Sequence, residues 1–408
     1  MKMLWVSHNV PYPPKTGVLQ RNYNLLREAS RRAEIHLLAF FHEAILPIRY
    51  DMEEVHRELG RFCQRIEIMP MPNVSQLSSL YLTAMKSLFT RAPFSINCMA
   101  SETMRRRIQV LCAAGGFQLV HFDTISLAGY REGLNGMTFM LNHHNIESNL
   151  MERRSRIERN PLKAAYYRLE AKKLRLYESK TCRKFDVNLT VSDLDAAMLG
   201  EICPGLNIRV VANGVDTDFF LPSPGDCDPL NLIMVSGMNW YPNRDAVQWM
   251  ADSIWPLIKK DIPGVSWTIV GAHPPRTILE LADSDAAVSV TGFVDDVRPY
   301  MGRAGVYLCP MRDGGGTRLK ILDALAMGKA IVSTSIGCEG IDVTPNKNVL
   351  IADTPGEFVS QIARVASDSQ LREELGLEGR RLVETTYSWR AIGATLGAIY
   401  EDCVGPKR

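Results

Sequence analysis

The segment MRDGGGTRLKILDALAMGKAIVST, from Met311 to Thr334, decides the fold of this protein. Its glycines lead into Thr317, Arg318 and Lys320, then into apolar residues at helical spacing, and then into a short β-branched run that predicts a strand. Glycines before a helix let an anion approach the backbone, where the unpaired N–H groups of the first helical turn point at it. The segment therefore predicts either a diphosphate cradle or a plain glycine-rich turn with exposed cations, and the convergence of glycines and cations favours the cradle.

Short apolar runs alternate with helical patterns along the rest of the chain, which is typical of parallel sheets covered by helices. A stretch rich in Gly, Pro, Asn and Asp near residues 213–229 predicts a linker between two units. The runs that predict strands of the first unit are KMLWVSH, EIHLLAFF, RIEIMP, FQLVHF, TFMLNHH and FDVNLTVS, and those of the second are LNLIMVSG, SWTIVG, AVSVTGF, GVYLCP and KAIVST. We expect an α/β protein of two doubly wound Rossmann-like domains facing across a cleft, with ligands outside the carboxyl ends of the strands.

Size and composition are those of a globular protein. The 408 residues suffice for two domains, and 46% hydrophobic with 23% charged residues excludes a disordered or fibrous chain. The nine cysteines are scattered and never form CxxC, which favours reduced thiols in a cytosol over a zinc site. No apolar run reaches membrane-spanning length, and the start MKMLWVSHNV is too short in apolar residues for a signal peptide. The expected location is cytoplasmic.

The net charge of +2 hides an asymmetry between the two halves. Residues 1–220 contain 29 Lys and Arg against 22 Asp and Glu, whereas the remainder contains 18 against 23. Residues 151–184 alone contain twelve Lys and Arg against four Glu. This run is either a solvated helix face or a surface attracted to anionic lipids, which would place the protein peripherally at the inner face of the plasma membrane.

Three common motifs are absent or unconvincing. The turns SHNVPYPPKTG and VSGMNWYPN lack GxGxxG, which argues against nicotinamide or flavin chemistry. The segment DALAMGKA has Asp323 where the first glycine of a Walker loop belongs. The DSD at Asp283–Asp285 has the form of a metal-binding acidic pair, but it lies in a predicted turn, where acidic residues are common. We expect no metal and no other cofactor.

Several segments together resemble, in order and spacing, the group 1 (family four) retaining glycosyltransferases of the two-Rossmann-domain (GT-B) type. They are VANGVDTDFF (211–220), VSGMNWYPNRDAVQWM (235–250), WTIVG (267–271), VTGFVDDVRPYM (290–301), the opening segment, STSIGCEGI (333–341) and YSW (387–389). The form GGGTRLK resembles the sugar transferases of bacterial exopolysaccharide clusters. The resemblance implies an acceptor-side domain over 1–212, a nucleotide-sugar-binding domain over 213–385, and a terminal helix over 386–408 that returns to the first domain and forms a hinge with the linker.

The resemblance assigns donor contacts around the glycine turn. The family's two glutamates, separated by seven residues, fall on Gly315 and Asp323, and the resemblance gives Asp323 the ribose hydroxyls of the donor. Because Gly315 replaces the glutamate near the sugar ring, the contacts to the donor sugar must differ here. We expect Gly314, Gly316 and Thr317 to line the diphosphate, with Arg318 and Lys320 stabilising its charge.

Other assigned donor contacts lie on neighbouring turns. Gly237 follows the first strand of the second domain, where Met238 occupies the place of the family's arginine. Arg244 is assigned to the diphosphate instead. Phe293 and Val294 match the segment that lines the nucleobase, although an ordinary buried strand end fits them equally well.

In the first domain, the resemblance assigns Gly17 to a loop that faces the cleft. His143 and His144 end a predicted strand in LNHHNIES, and each is either a structural histidine or a group near the transferred sugar. The resemblance places a histidine near that sugar, and we slightly prefer His143.

The resemblance implies transfer of a sugar from a nucleotide-diphosphate donor to a hydroxyl of a glycan or lipid-linked acceptor, with retention of the anomeric configuration, and we expect no nucleic acid partner. A donor phosphate oxygen would accept the proton of the acceptor, so no protein nucleophile is required. Two alternatives are a sugar-nucleotide epimerase or phosphorylase of the same fold, and a non-catalytic sugar-nucleotide binding protein.

Overall fold

The computed structural model describes residues 1–41, 51–71, 77–158, 160–223, 225, 227–314 and 317–404. Gly315 and Gly316, two of the predicted donor-binding residues, lie outside these described residues. The chain forms two compact units, one of residues 1–212 with 392–408 and the other of residues 213–391. Within the described part of the chain, no helix combines the length and hydropathy needed to cross a bilayer.

The first unit contains a seven-stranded parallel sheet in the order β3-β2-β1-β4-β5-β6-β7. Its strands are β1 Lys2–Ser7, β2 Glu34–Phe41, β3 Cys63–Pro70, β4 Leu119–Phe122, β5 Thr138–Asn142, β6 Val187–Thr190 and β7 Ile208–Val210. Its helices are α1 Gly17–Ala29, α2 Met52–Leu59, α3 Leu77–Leu88, α4 Phe94–Cys98, α5 Glu102–Ala114, α6 Glu147–Ile157, α7 Pro161–Thr181 and α8 Asp193–Ile202, with 3₁₀ turns at Ile125–Arg131 and Cys182–Lys184.

The second unit contains a six-stranded parallel sheet in the order β10-β9-β8-β11-β12-β13. Its strands are β8 Asp228–Val235, β9 Ser266–Val270, β10 Val288–Gly292, β11 Ala304–Cys309, β12 Ala330–Ser333 and β13 Leu350–Ile351. Its helices are α9 Tyr241–Trp249, α10 Trp255–Asp261, α11 Arg276–Ser284, α12 Arg298–Arg303, α13 Leu319–Ala326, α14 Pro355–Ser367 and α15 Ser369–Leu382, with π turns at Met250–Ile254 and Val383–Tyr387. The last helix, α16 Trp389–Val404, begins in this unit and ends in the first.

These elements follow from local sequence signals. In β1 and β2 every residue between the first and the last is buried, as expected for strands of a parallel sheet. Side-chain caps start several helices: Asn160 accepts from two N–H groups of α7, and Thr354 forms a reciprocal capping box with Glu357 at α14. The eleven predicted strands are all present. The short strands β7 and β13 were not predicted, because two or three residues carry no measurable hydrophobic period.

Each sheet has one point where its strand order reverses direction. In the first unit the chain passes from β1 outward to β2 and β3, and then returns to add β4 on the other side of β1. In the second unit the same reversal separates β8 from β11. Ligands of doubly wound sheets bind outside the carboxyl ends of the strands at such a point. These two places, one in each unit, are therefore where a functional site is expected.

Aromatic packing near the middle of the first sheet holds the end of the chain in the first unit. The indole of Trp5 stacks on the imidazole of His121 with ring centroids 3.9 Å apart. The hydroxyl of Tyr400, on α16, lies 3.3 Å from His121 Nδ1. Burial lowers the pKa of His121 to about 3, so this imidazole is neutral and its hydrogen bond to Tyr400 needs no counter-charge.

Candidate functional site

In the second unit, Lys320 lies where β8 and β11 end. Its ammonium donates to Ser236 Oγ and to Asn243 Oδ1, each at 2.7 Å. The amide of Asn243 in turn donates to the carbonyl of Gly237 at 2.7 Å. The lysine therefore links the turn after β8, the start of α9 and the first turn of α13. This is the reversal point of the second sheet.

In the described part of the chain, Lys320 forms no ion pair with a carboxylate. Among the described residues its hydrogen-bond partners are a neutral hydroxyl and a neutral amide. Burial lowers the pKa of Lys320 to about 8, and the nearby guanidinium of Arg318 acts in the same direction. A desolvated cation with only neutral partners is costly for a folded protein, and an anionic ligand would remove that cost.

Arg318 forms the N-cap of α13 and is only 3% exposed. Its Nη2 donates to the carbonyl of Gly314 at 3.0 Å and lies 3.8 Å from Glu339 Oε2. Gly314 has φ of 130°, a conformation that favours glycine. A Cβ there would also approach Arg318 Nη2 and the indole of Trp240 to 3.3 Å. The turn before α13 therefore needs glycine at this position to place the guanidinium.

Asp323 lies in the second turn of α13, and its carboxylate has no hydrogen-bond partner among the described side chains and backbone groups. Desolvation raises the pKa of Asp323 to about 7. A carboxylate held half-buried without donors destabilises the fold when it ionises. The carboxylate of Asp323 can therefore accept hydrogen bonds from a donor outside the protein.

A second glycine lets the turn after β8 pack against the end of β9. Gly271 has φ of 153°, and a Cβ at this position would lie 1.9 Å from the carbonyl oxygen of Ser236. Any side chain at Gly271 would therefore displace Ser236, which binds Lys320.

Three other predicted donor contacts of the second unit lie in or beside two turns. Gly237 and Thr317 lie in the turns before α9 and α13. Arg244 donates to the carbonyls of Met238 at 3.0 Å and Asn239 at 2.8 Å, so it braces the turn after β8 from within. Its assignment to the diphosphate stays a prediction, as do those of Gly237 and Thr317.

The predicted nucleobase segment follows β10. Phe293 is 63% exposed and Val294 is half-buried. An exposed phenyl ring at a carboxyl strand end does not fit an ordinary buried strand end, although the nucleobase assignment stays a prediction. The exposed ring is suited to stack on a planar base.

In the first unit, several polar side chains contact the fully buried carboxylate of Asp123 where β1, β4 and β5 end. Asp123 Oδ2 accepts from Asn22 Nδ2 at 2.6 Å and from Ser7 Oγ at 3.3 Å, and it lies 2.6 Å from His8 Nδ1. Asp123 Oδ1 lies 3.1 Å from His144 Nε2. This cluster occupies the reversal point of the first sheet, as Lys320 does in the second.

Charge keeps Asp123 ionised despite its burial. Desolvation alone would raise the pKa of Asp123, but the two imidazoles and their hydrogen bonds hold it well below its usual range. Burial in turn lowers the pKa of His144, and Asp123 opposes that shift. The edges of His8 and His144 remain partly exposed, with side-chain exposures of 14% and 10%.

His8, Asp123 and His144 also form a possible cation site, since their ligand atoms all lie within 4.8 Å of one another. Two imidazoles and a carboxylate are suitable ligands for several divalent metals. Both carboxylate oxygens of Asp123 already accept hydrogen bonds, so the cluster is satisfied without an ion.

His143, the preferred catalytic histidine, lies elsewhere. It is 1% exposed, and its Nε2 lies 3.1 Å from Asn188 Oδ1 in the interior beside β6. Burial lowers the pKa of His143 to about 4. The structure therefore brings His144 to the polar cluster and keeps His143 in the core, and this position does not favour a contact of His143 with a sugar.

The predicted cleft-facing residue Gly17 is the first residue of α1, and it is exposed.

Sequence reasoning did not single out His8, Asp123 or Glu339. The signal was nevertheless present, because His8 ends the run KMLWVSH and Asp123 follows FQLVHF, each a polar residue just after a predicted strand. Strand order was the missing information, since only the adjacency of β1 and β4 brings these two residues together. Glu339 lies in STSIGCEGI, and its approach to Arg318 depends on the turn after β12.

The motifs rejected from the sequence have structural roles. The ammonium of Lys329, in the incomplete Walker segment, donates to the carbonyls of Gly302 at 3.0 Å and Ala304 at 2.8 Å. Asp285, in the DSD segment, accepts from Trp255 Nε1 at 2.9 Å and pairs with Lys259 at 2.8 Å. These side chains stabilise loops of the second unit.

Comparison with known proteins agrees with this architecture. Residues 229–368 match the family described as glycosyl transferases group 1. The chain is 22% identical over 179 residues to an uncharacterized 44.6 kDa protein in the cps region of Klebsiella pneumoniae, covering 42% of this chain and 46% of that protein. It is 24% identical over 234 residues to the MMP alpha-(1->4)-mannosyltransferase of Mycolicibacterium hassiacum, covering 56% of each. The chain thus spans about half the length of these curated relatives.

A solved structure resembles nearly the whole fold. Alr3699/HepE of Anabaena, in complex with UDP-glucose, superposes with a TM-score of 0.64 at 13% identity, covering 98% of this chain and 100% of that one. Together with the two parallel α/β units, this likeness confirms the predicted GT-B fold. The match to the group 1 glycosyltransferase family lies within residues 229–368 of the second unit, and the likeness to the solved structure extends the shared fold to both units.

Proposed function

We propose that this protein transfers a sugar from a nucleotide-diphosphate donor to a hydroxyl acceptor. One observation carries the proposal: Arg318 is buried and Lys320 is partly buried at the reversal point of the second sheet, and the neutral partners of Lys320 leave its charge to be balanced by an anion. A diphosphate supplies that anion. The UDP-glucose in the structure of Alr3699/HepE supports a nucleotide sugar as the donor class.

The proposed chemistry uses these cations at the leaving group. The bond between the anomeric carbon and the diphosphate oxygen breaks, its electron pair stays on that oxygen, and Lys320 and Arg318 stabilise the charge that develops there. The acceptor oxygen bonds to the anomeric carbon, and its proton passes to a donor phosphate oxygen. Attack from the face of the leaving group would retain the anomeric configuration. Asp323 would accept hydrogen bonds from the ribose hydroxyls.

The biological role that we propose is synthesis of a bacterial exopolysaccharide or another cell-surface glycan in the cytoplasm. The relative from a cps region supports this role. A glycan or lipid-linked acceptor would place the protein peripherally at an anionic membrane, for which the basic residues of α6 and α7 provide charge.

A thermal-shift screen against UDP-, GDP-, ADP- and TDP-sugars tests donor binding. A donor that binds only the folded state at one hundred times its Kd stabilises the protein by about 2.7 kcal/mol, which raises the unfolding midpoint. Product analysis by NMR then tests the transfer and its stereochemistry. The proposal fails if no nucleotide sugar shifts the midpoint, and retention fails if the anomeric configuration inverts. An epimerised donor formed without acceptor product would indicate the epimerase alternative.

Removal of divalent metal is expected to leave the transfer rate unchanged. The proposal assigns the charge of the leaving group to Lys320 and Arg318, so chelation by EDTA should have no effect on turnover. If EDTA abolishes activity and a divalent cation restores it, the metal-independent mechanism is wrong. In that case the matched variants His8→Ala and His144→Ala would show whether the cluster around Asp123 holds the metal.

Replacing Asp323 by asparagine should stabilise the protein while impairing its use of donor. The folded-state pKa of Asp323 is raised to about 7, so ionisation destabilises the fold above pH 4, and the cost is complete above pH 7. We expect Asp323→Asn to gain about 1–3 kcal/mol at pH 8 and little at pH 4. The same variant should raise the KM for the donor. Urea unfolding at both pH values with steady-state kinetics measures both effects, and an unchanged KM would remove Asp323 from the donor site.

A further inference from the structure

One face of α3 exposes several large apolar side chains. Tyr81, Leu82, Met85, Leu88 and the following Phe89 are exposed by 73%, 56%, 57%, 36% and 87%. Their spacing places them on a single side of the helix. The opposite side packs inward, with Leu80 against the core of the first unit and Ser87 fully buried. A monomeric protein in water rarely leaves so many large apolar side chains on one helix face.

The sequence that includes this face carries cations and no carboxylate. No Asp or Glu occurs between Glu67 and Glu102, whereas Lys86 and Arg91 are exposed beside the apolar residues. Helix α7 lies beside the end of α3, because the ammonium of Lys173 donates to the carbonyl of Ser87 and pairs with Glu170 at 3.2 Å. Glu170 of α7 accepts from the backbone N–H of Phe94 at 2.7 Å and is itself buried.

The exposed side of α7 carries no carboxylate. Its two glutamates, Glu170 and Glu178, are both buried. The exposed residues of this helix include Lys163, Arg168, Lys172, Arg175 and Lys180, together with Leu162, Leu169 and Leu176. An apolar helix face flanked by cations matches an anionic lipid surface, whereas two copies of it would repel each other.

We propose that the α3 face, defined as Tyr81, Leu82, Met85, Leu88 and Phe89, inserts into the interface of an anionic bilayer, with Lys86, Arg91 and the exposed cations of α7 against the headgroups. The inference deepens the membrane contact of the proposed function and does not depend on the sugar-transfer chemistry. In this proposal the apolar α3 face attaches the protein to the membrane. A purely electrostatic attachment would instead use the basic residues of α6 and α7.

Co-sedimentation of the full-length protein with lipid vesicles tests the assignment. The wild type should bind vesicles of phosphatidylcholine mixed with phosphatidylglycerol and bind phosphatidylcholine alone weakly. The triple variant Tyr81→Ser, Met85→Ser, Phe89→Ser should bind the mixed vesicles at least about tenfold more weakly, because it removes the buried apolar area. The matched control Leu257→Ser, Leu279→Ser, Leu377→Ser changes exposed apolar residues of the second unit and should bind as the wild type does.

Other outcomes would overturn the proposal. If the α3 variant binds like the wild type while Lys172→Glu with Arg175→Glu does not, attachment is through α7 alone. Absence of vesicle binding by the wild type would overturn membrane attachment altogether, while the thermal shift with nucleotide sugars would still report on the donor site. If the α3 variant converts a dimer to a monomer in analytical ultracentrifugation without changing vesicle binding, the face contacts a second copy of this chain.

Discussion

Replacing Lys320 by methionine should lower kcat/KM for sugar transfer by about 10²–10³-fold, or about 2.7–4 kcal/mol of transition-state stabilisation. The ammonium is placed by Ser236 and Asn243 at the reversal point of the second sheet, where a leaving diphosphate would develop its charge. Methionine keeps most of the side-chain volume and removes the charge, so the loss reports on electrostatics. Steady-state kinetics with the donor found by thermal shift gives the measurement.

The same variant should be at least as stable as the wild type. Burial lowers the pKa of Lys320 from 10.5 to about 8, so the charged lysine destabilises the fold at neutral pH. The variant should therefore gain about 1–3 kcal/mol below pH 8, and this gain should disappear as the pH rises toward 10.5. Urea unfolding at pH 7 and pH 10 measures it.

A matched control separates the site from the general loss of a lysine. Lys347 is exposed in the same unit, where it lies 3.6 Å from Glu378, and Lys347→Met should change neither activity nor stability measurably. If Lys320→Met transfers sugar at the rate of this control, Lys320 does not act on the leaving group. A loss of activity accompanied by a large loss of stability would likewise contradict the assignment, because it would indicate a structural lysine.

Replacing Asp123 by asparagine should destabilise the first unit by about 3–5 kcal/mol, the usual cost of removing one partner from a buried charge cluster. The substitution leaves His8, His144 and Asn22 without the carboxylate that accepts from them. Because the chain has two units, a single unfolding midpoint would mix their stabilities. Hydrogen exchange followed by mass spectrometry in peptides of β1 and β4 measures the first unit within the full-length protein.

The effect of Asp123→Asn should depend on pH with a fixed sign. The folded-state pKa of Asp123 lies well below the ordinary value of 3.8, so its stabilisation is fully present above that value and is lost as the pH falls through the folded-state pKa. The difference between variant and wild type should therefore be large at pH 7 and should shrink below pH 4. The control Glu132→Gln changes a carboxylate that is 74% exposed, and it should leave the exchange rates unaltered. Equal protection in Asp123→Asn and the wild type at pH 7 would show that the cluster does not hold these strands.

The sequence was most informative where the period of the apolar residues and the turn residues agree. Leu319, Leu322 and Ala326 predicted the helix α13, and the apolar runs predicted eleven of the thirteen strands among the described residues. It was less informative for pairs of adjacent residues. His143 lies beside Asn188 of β6 and His144 beside Asp123, and the nearly identical local sequence of the two imidazoles does not distinguish these positions.

By itself, the sequence determined two Rossmann-like domains, the glycine turn before α13, and the cations that open this helix, because these features depend on residues close together in the chain. Only the tertiary structure decided which distant groups surround them. Lys320 meets Asn243 across 77 positions and His8 meets Asp123 across 115, since strand order places β8 beside β11 and β1 beside β4. It also decided the protonation of Asp323 and Lys320, because a pKa responds to the desolvation and charge that packing imposes.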